Sequence, residues 1–507
     1  MSTLLAGWNM GFSKSPACSV RCPLIGAGGF SYCALTETYR LGGWEHYPSL
    51  GDAFCATAVI VMLNAQSRVE RRGVYRVWKA VSSQGDGAMN LETVRESCAF
   101  VELRTLSPYS QGTLSGLTFA VKDMIDVAGR RTGRGNPLWR DTHPPASVNA
   151  PVVDLLLAAG GRGVGITVTD ELAASFAGEN AWFGAPRNPA APDCSPGGSS
   201  CGSASAVAHG LCDFALGTDT GGSVRVPASY CGLLGWRPTW GSVSACGVLP
   251  LAPGFDTVGV LARRASCMLD VAHELTGTLP RRGTFRRMVC LDDAFFLADR
   301  EVVQAVEPGL ARLESHWKVS RKSLADLTGP DVTMDLWAAV FNVIESAEVG
   351  ATLGGWLRSA QPDLGPVVRR NLGDLFEVED QGQRVMKAHY LSRAWSLRRV
   401  LVGALERALV DEDLLLCLPT APSPPPLRGS WDDVDFARSS GERLLALGSI
   451  AGLGGFPQVS LPMGTTRKSA DGLCARPVGL SIIGPPGSDL ALVEEAVRLE
   501  REGTWDV

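Results

Sequence analysis

The sequence predicts an α/β fold, a large mixed β-sheet covered by helices on both faces, and three observations carry that prediction. Short apolar runs alternate with helical stretches between residues 117 and 217, long helix-forming stretches fill residues 265 to 410, and a helix followed by two strands closes the chain between residues 444 and 484. The 507 residues suffice for two or three average domains or for one large α/β domain. A hydrophobic content of 45% with 20% charge is that of a compact chain, and 58 glycines and 31 prolines call for many tight turns.

In chain order, residues 1–100 stand apart. They mix glycine, cysteine and tryptophan with no sustained period, and their first carboxylate is Glu37. A Ser/Thr-containing, acid-poor start with Lys14 and Arg21 leaves two readings open, an organelle transit peptide or a variable extension loosely packed on the rest. From Leu117 the texture changes. LTFAVKD is an apolar run closed by charge, the form of a buried strand that ends at Lys122. Residues 150–161 (APVVDLLLAAGG) have helical apolar spacing and a terminal glycine pair, and residues 163–169 (GVGITVT) return to a β-rich run. Helix and strand recur at 204–210 and 213–217. VVQAVEPGLARLESHW and LSRAWSLRRVLVGALERALVDED read as helices, the second running into the proline-rich 418–426 segment. Residues 444–464 and 477–484 supply a helix and two sheet-completing strands, and nothing marks a domain boundary after residue 100.

A formal charge of -5 gives no field that would gather nucleic acid or an anionic membrane. No apolar run approaches the ~20 residues that span a bilayer, residues 54–63 being the longest candidate. The 14 cysteines lack the dense spacing of a secreted disulfide scaffold, which predicts reduced thiols in an intracellular compartment. Cys18 and Cys22 have no second ligand pair, so no zinc site is expected there. His273-Glu274 opens a zinc-protease pattern that Gly277 breaks, Ser315 to Lys318 is an isolated S-x-x-K, and no complete dinucleotide or P-loop motif occurs.

Two glycine-rich loops concentrate the chemistry: PGGSSCGS at 196–203 and GTDTGGSVR at 217–225. One short helix and one strand separate them, so the chain returns to the sheet edge it left and both loops face one cleft. Lys122 joins that edge if the strands run parallel, which is where open α/β sheets place ligands. A serine needs a base to become a nucleophile. His46, His143, His209, His273, His316 and His389 lie in no triad context, and no G-x-S-x-G elbow exists. Lysine is therefore the candidate base, since burial strips an ammonium of solvation and lowers its pKa. Gly221 and Gly222 let successive amides turn toward one point beside Ser223, as an oxyanion requires. Asp219 and Arg225 read as an ion pair that fixes this turn.

With GLTFAVKD, PGGSSCGSASAVA and GTDTGGSVRVPASYCGLLGWRPT in place, the chain resembles the amidase signature family over roughly residues 100 to 495, including FDTVG at 255–259 and AGLGGFPQVSLPMG at 451–464. The resemblance implies the amidase signature fold over 101–507, with Lys122 as catalytic lysine, Ser199 as a serine in a cis peptide linkage that relays protons, and Ser223 as the acylated nucleophile. It also implies oxyanion amides from Thr220, Gly221, Gly222 and Ser223, with Ser200 steadying the relay. Cys201, where the family has glycine or serine, and the first hundred residues depart from the pattern. VAGRRTGRGNPLW, GENAWFGAPRNP and SVRVPASYCG resemble plant indole-acetamide hydrolases of that family, which implies an aryl acetamide as substrate. Expected with it are hydrolysis of a small-molecule amide without metal or organic cofactor, no nucleic acid, no membrane span, a homodimer as a compatible assembly, and a cytoplasmic location with plastid or mitochondrion as alternatives. Two rivals share the fold: a non-catalytic receptor for organelle protein import, against which stands the lack of a ~34-residue helical repeat after the amidase region, and a fatty-acid-amide-type hydrolase. DMIDVAG after Lys122 departs from the transamidosome subunits. The acyl pocket is expected from the helices of residues 300–400, whose sequence carries no decodable pattern.

Overall fold

The computed structural model describes residues 90–277, 285–377, 381–411, 413–427, 429–467 and 474–505, all within one compact unit. The expectations for residues 1–89, among them the transit peptide, the Cys18/Cys22 pair and the apolar run at 54–63, lie outside the described residues.

Eleven strands form one sheet: β1 (Phe100–Leu106), β2 (Thr118–Lys122), β3 (Arg162–Thr167), β4 (Phe214–Asp219), β5 (Leu234–Arg237), β6 (Thr257–Ala262), β7 (Arg287–Leu291), β8 (Lys318–Lys322), β9 (Leu414–Pro419), β10 (Gln458–Thr465) and β11 (Pro477–Ile483). Their order is β1-β3-β2-β4-β6-β5-β10-β11-β9-β7-β8. β3, β2 and β4 run parallel, as do β9, β7 and β8, while the strands between them and β1 pair antiparallel. The mixed sheet of the sequence reading is thus two parallel sets joined by an antiparallel centre. The principal helices are α1 (Pro151–Ala158), α2 (Cys201–Ala208), α3 (Arg225–Tyr230), α4 (Ala265–Thr276), α5 (Arg300–Leu313), α6 (Met334–Ala360), α7 (Gln381–Asp411), α8 (Val434–Gly454) and α9 (Asp489–Arg501).

Side-chain alternation decides what covers each face. On β2, Phe119 and Val121 enter the core shared with α1, α4 and α9, while Ala120 enters the core beneath α2. β4 repeats the pattern: Phe214 and Leu216 pack with Phe119 and Val121, and Ala215 turns to α2. The Phe119 and Phe214 rings stack at 5.6 Å, which locks β2 to β4. On the α2 face the residues stay small because the helix lies close. A Cβ added at Gly217 would come within 2.7 Å of Ser200 Oγ. A separate core joins α6, α7 and α8 to β7 and β9.

Three features differ from the sequence expectation. The sheet takes in the chain from Phe100, where β1 pairs with β3. β5 and β6 fill the stretch between the second glycine loop and α4. LLLCLP, to which the sequence reading assigned no strand between the helical stretch ending at Asp413 and the proline-rich segment, is β9, fully buried between β11 and β7. A continuous apolar run has no period that separates a buried strand from a buried helix.

Candidate active site

The parallel set β3-β2-β4 brings three carboxyl ends to one edge: Lys122 closes β2, Thr169 and Asp170 follow β3, and Asp219 closes β4. Lys122 shares the α2 face with Ala120 by alternation and is wholly buried. Its Nζ donates to Ser199 Oγ at 2.8 Å, to Thr218 Oγ1 at 2.8 Å and to Thr218 O at 3.5 Å. Desolvation pulls the ammonium down to about 8, opposed by the negative charges of Asp170, Asp219 and Asp256 and by Cys201. A lysine near that value is part neutral at physiological pH, with a lone pair available to take a proton.

Ser199 follows a cis peptide bond from Gly198, and its carbonyl accepts from Asp170 N at 3.0 Å and Thr169 Oγ1 at 3.0 Å. Gly198 admits no side chain, since a Cβ there would lie 2.1 Å from Asp170 Oδ2. Ser200 joins the two glycine loops: its N–H donates to Ser223 O at 3.1 Å and its hydroxyl to Thr218 O at 3.4 Å. The structure therefore sets Lys122 and Ser199 in direct contact and ties Ser223 to them through the backbone.

The turn at 219–225 is built on Asp219. Its carboxylate accepts from Gly222 N at 3.1 Å and Val224 N at 3.0 Å, and pairs with Arg225 Nη2 at 2.6 Å and Arg237 Nη1 at 2.9 Å. Burial alone would raise this carboxyl, but Arg225 and Arg237 outweigh it and hold it well below the usual carboxylate range. The Gly222 amide is thereby occupied, while among the described residues the Gly221 and Ser223 amides have no protein acceptor. The Thr220 amide likewise has no protein acceptor among the described residues, so Thr220, Gly221 and Ser223 are the amides left for an oxyanion beside the almost buried Ser223. The Thr220 hydroxyl donates to Asp256 Oδ1 at 2.6 Å, which anchors the near side of the turn. Its walls are apolar: a Cβ at Gly221 would meet Leu445 at 3.3 Å and Phe341 at 3.4 Å, and one at Gly222 would meet Val226 and Phe176. Phe341 lies on α6, within the stretch expected to line an acyl pocket, but Leu445 comes from α8 and Phe176 from the loop after β3.

Sequence reasoning missed several of these groups. Thr218 sits inside the second glycine loop, where nothing in its residue type or spacing marks the contact its side chain makes with Lys122. Asp170 follows the β3 run directly, so the strand-end rule that located Lys122 could have found it. Burial raises it to about 6 despite hydrogen bonds from Ser175 and Gly178. Arg237 carries no local signal. The described histidines lie elsewhere: His143 against Trp139, His209 at the end of α2, His273 on α4, His316 with Arg498 and Glu502, and His389 on α7. Among the described residues no group of three His, Cys, Asp or Glu could hold a metal ion, and no helix is long and apolar enough to cross a membrane.

Residues 92–323 match the Amidase family model. Amidase 1 of Arabidopsis thaliana is 38% identical over 435 residues, covering 78% of this chain and 97% of that protein. Outer envelope protein 64, chloroplastic, of the same plant is 34% identical over 434 residues, covering 80% of this chain and 70% of that one. A crystal structure of an amidase superposes with a TM-score of 0.67 at 26% identity, covering 87% of this chain and 99% of that one.

Proposed function

The chain belongs to the amidase family and is an amide hydrolase, and from that premise we propose that it cleaves a primary carboxamide through Lys122, Ser199 and Ser223, the substrate being an aryl acetamide of the indole-3-acetamide type. The observation that carries the reading is the 2.8 Å contact between Lys122 Nζ and Ser199 Oγ in full burial. Neutral Lys122 takes the Ser199 proton as Ser199 takes that of Ser223, whose Oγ attacks the amide carbonyl. The oxyanion is held by the free amides of Thr220, Gly221 and Ser223. The relay runs in reverse to protonate the departing ammonia, leaving an acyl-enzyme on Ser223 that water, activated by the same relay, hydrolyses to the carboxylate. The catalytic domain in this reading is residues 101–507, working in the cytoplasm unless residues 1–100 direct it to an organelle.

The competing reading, a non-catalytic receptor for organelle protein import, draws on the likeness to an outer envelope protein. Ser223→Ala decides the role of the nucleophile: ammonia release is abolished in a variant that melts like the parent, and retained turnover removes Ser223 from it. A fluorophosphonate labels Ser223 in the enzyme and leaves a receptor unmodified. Ammonia release from indole-3-acetamide, phenylacetamide, aliphatic amides and fatty amides ranks the substrates, and preference for a fatty amide overturns the aryl assignment.

A further inference from the structure

A cavity of about 220 Å³ lies away from the catalytic loops, between the proline-rich loop after β9, the first half of α8 and the start of α5. Tyr230, at the end of α3, forms one wall and screens it from the loop of Ser199, for a Cβ on Gly197 would approach the Tyr230 ring to 2.8 Å. None of Lys122, Ser199 and Ser223 lines it.

Four lining residues carry buried polar atoms without a partner in the described protein: Trp431 Nε1, Arg443 Nε, Arg476 Nε and the Ser423 hydroxyl. Trp431 and Arg476 are only 5% and 6% exposed. Buried donors are ordinarily satisfied, and three unpaired N–H groups on residues that line one cavity call for an acceptor from outside the protein. The cavity's carboxylates are each already paired: Asp299 receives Arg443 Nη1 at 2.6 Å and Ser423 N at 2.8 Å, and Glu301 receives Arg476 Nη2 at 2.6 Å. An occupant bearing N–H groups of its own would find no carboxylate free of a guanidinium. A carboxylate brings acceptors alone and receives several N–H groups at once. The remaining walls are flat and apolar, with Trp431 edge-on to Phe436 at 5.8 Å and prolines from the loop after β9. At 220 Å³ the space is smaller than the ~300–1,000 Å³ of drug-sized sites, which limits the occupant to about one ring with one anionic group.

We propose that this cavity is a second ligand site that takes a small aromatic monocarboxylate, its ring against Trp431 and Phe436 and its carboxylate on the N–H groups of Trp431, Arg443 and Arg476. The proposal is independent of which amide the catalytic site cleaves.

Calorimetric titration of the full chain with phenylacetate tests it. One phenylacetate binds per chain, equally in the Ser223→Ala variant. Trp431→Phe keeps the ring and removes one donor, and weakens binding about tenfold. Ser440→Phe, which fills the cavity from α8, abolishes it, with thermal unfolding identifying a misfolded variant; should that one misfold, Trp431→Phe decides. In the Ser223→Ala variant, which does not hydrolyse it, phenylacetamide displaces bound phenylacetate at least tenfold more weakly than phenylacetate itself does. Absence of binding means that the cavity holds water only and overturns the proposal. Affinity unchanged in Trp431→Phe places the ligand elsewhere and does the same, and equal affinity for phenylacetamide overturns the carboxylate assignment.

Discussion

Gly448→Ala adds a single methyl group to the face of α8 that rests on the nucleophile turn. A Cβ at that position would lie 1.8 Å from the carbonyl oxygen of Gly221 and 2.8 Å from its carbon. Both neighbours are backbone, with no flexible side chain to swing away. Contacts shorter than 3.0 Å do not persist, so α8 and the turn must separate by about 1.2 Å, the difference between 3.0 and 1.8 Å. The move is resisted on the same side, because Gly448 O accepts from Arg225 Nη1 at 3.0 Å and Arg225 is bound to Asp219. A displacement of about 1 Å at a reacting group costs on the order of 10²-fold in rate, and overpacking costs about 1–3 kcal/mol of stability. Gly441→Ala on the same helix is the control. Nothing lies within 4 Å of its added methyl, and replacing a helical glycine by alanine gains up to about 1 kcal/mol. Ammonia-release kinetics and urea unfolding of both variants are the assay: kcat falls about 100-fold in Gly448→Ala and is unchanged in Gly441→Ala. Parental kcat and stability in Gly448→Ala would refute the close packing of α8 on the turn.

Other perturbations test the electrostatics. Because Lys122 acts when neutral, kcat/KM should rise with pH through about 8 and then level off; a rate that is flat across that range removes the lysine as base. Asp170 is among the charges that raise Lys122, so Asp170→Asn should move the same rise to lower pH, and a shift to higher pH would contradict their placement. Lys122→Met should abolish turnover yet raise the melting temperature at pH 7. The folded lysine titrates near 8 against an ordinary 10.5, so between those values the unfolded chain binds more protons and stability climbs with pH. The burial penalty is therefore complete below about 8, and the gain from Lys122→Met should fade toward 10.5. Asp219→Asn leaves Arg225 and Arg237 buried without their carboxylate and should cost about 3–5 kcal/mol in chemical denaturation. The folded carboxyl lies below its unfolded value, so its contribution is present above the usual carboxylate range and is lost only as the pH falls through the folded value; equal stability of the two proteins at pH 7 would count against the three-way pairing.

What could be read from the sequence was local. Ser199 and Ser223 stand in dense glycine clusters, and Lys122 ends a five-residue strand, so each position announced itself within a few neighbours. The alternation in TFAVK did more, since a lysine two residues past Ala120 must face α2 whatever the rest of the sheet does. Groups contributed across the sheet or by a distant helix gave no such sign. Arg237 reaches Asp219 only because β5 and β4 both pair with β6, and Gly448 reaches Gly221 only because α8 crosses above. The Gly222 amide teaches the same lesson in reverse: among the glycines it reads as a free donor, yet Asp219 takes it. Local spacing thus says which backbone can turn toward a substrate. Which of those amides remain free to meet one is decided by the buried ion cluster of Asp219, Arg225 and Arg237, and that cluster exists only once the sheet has assembled.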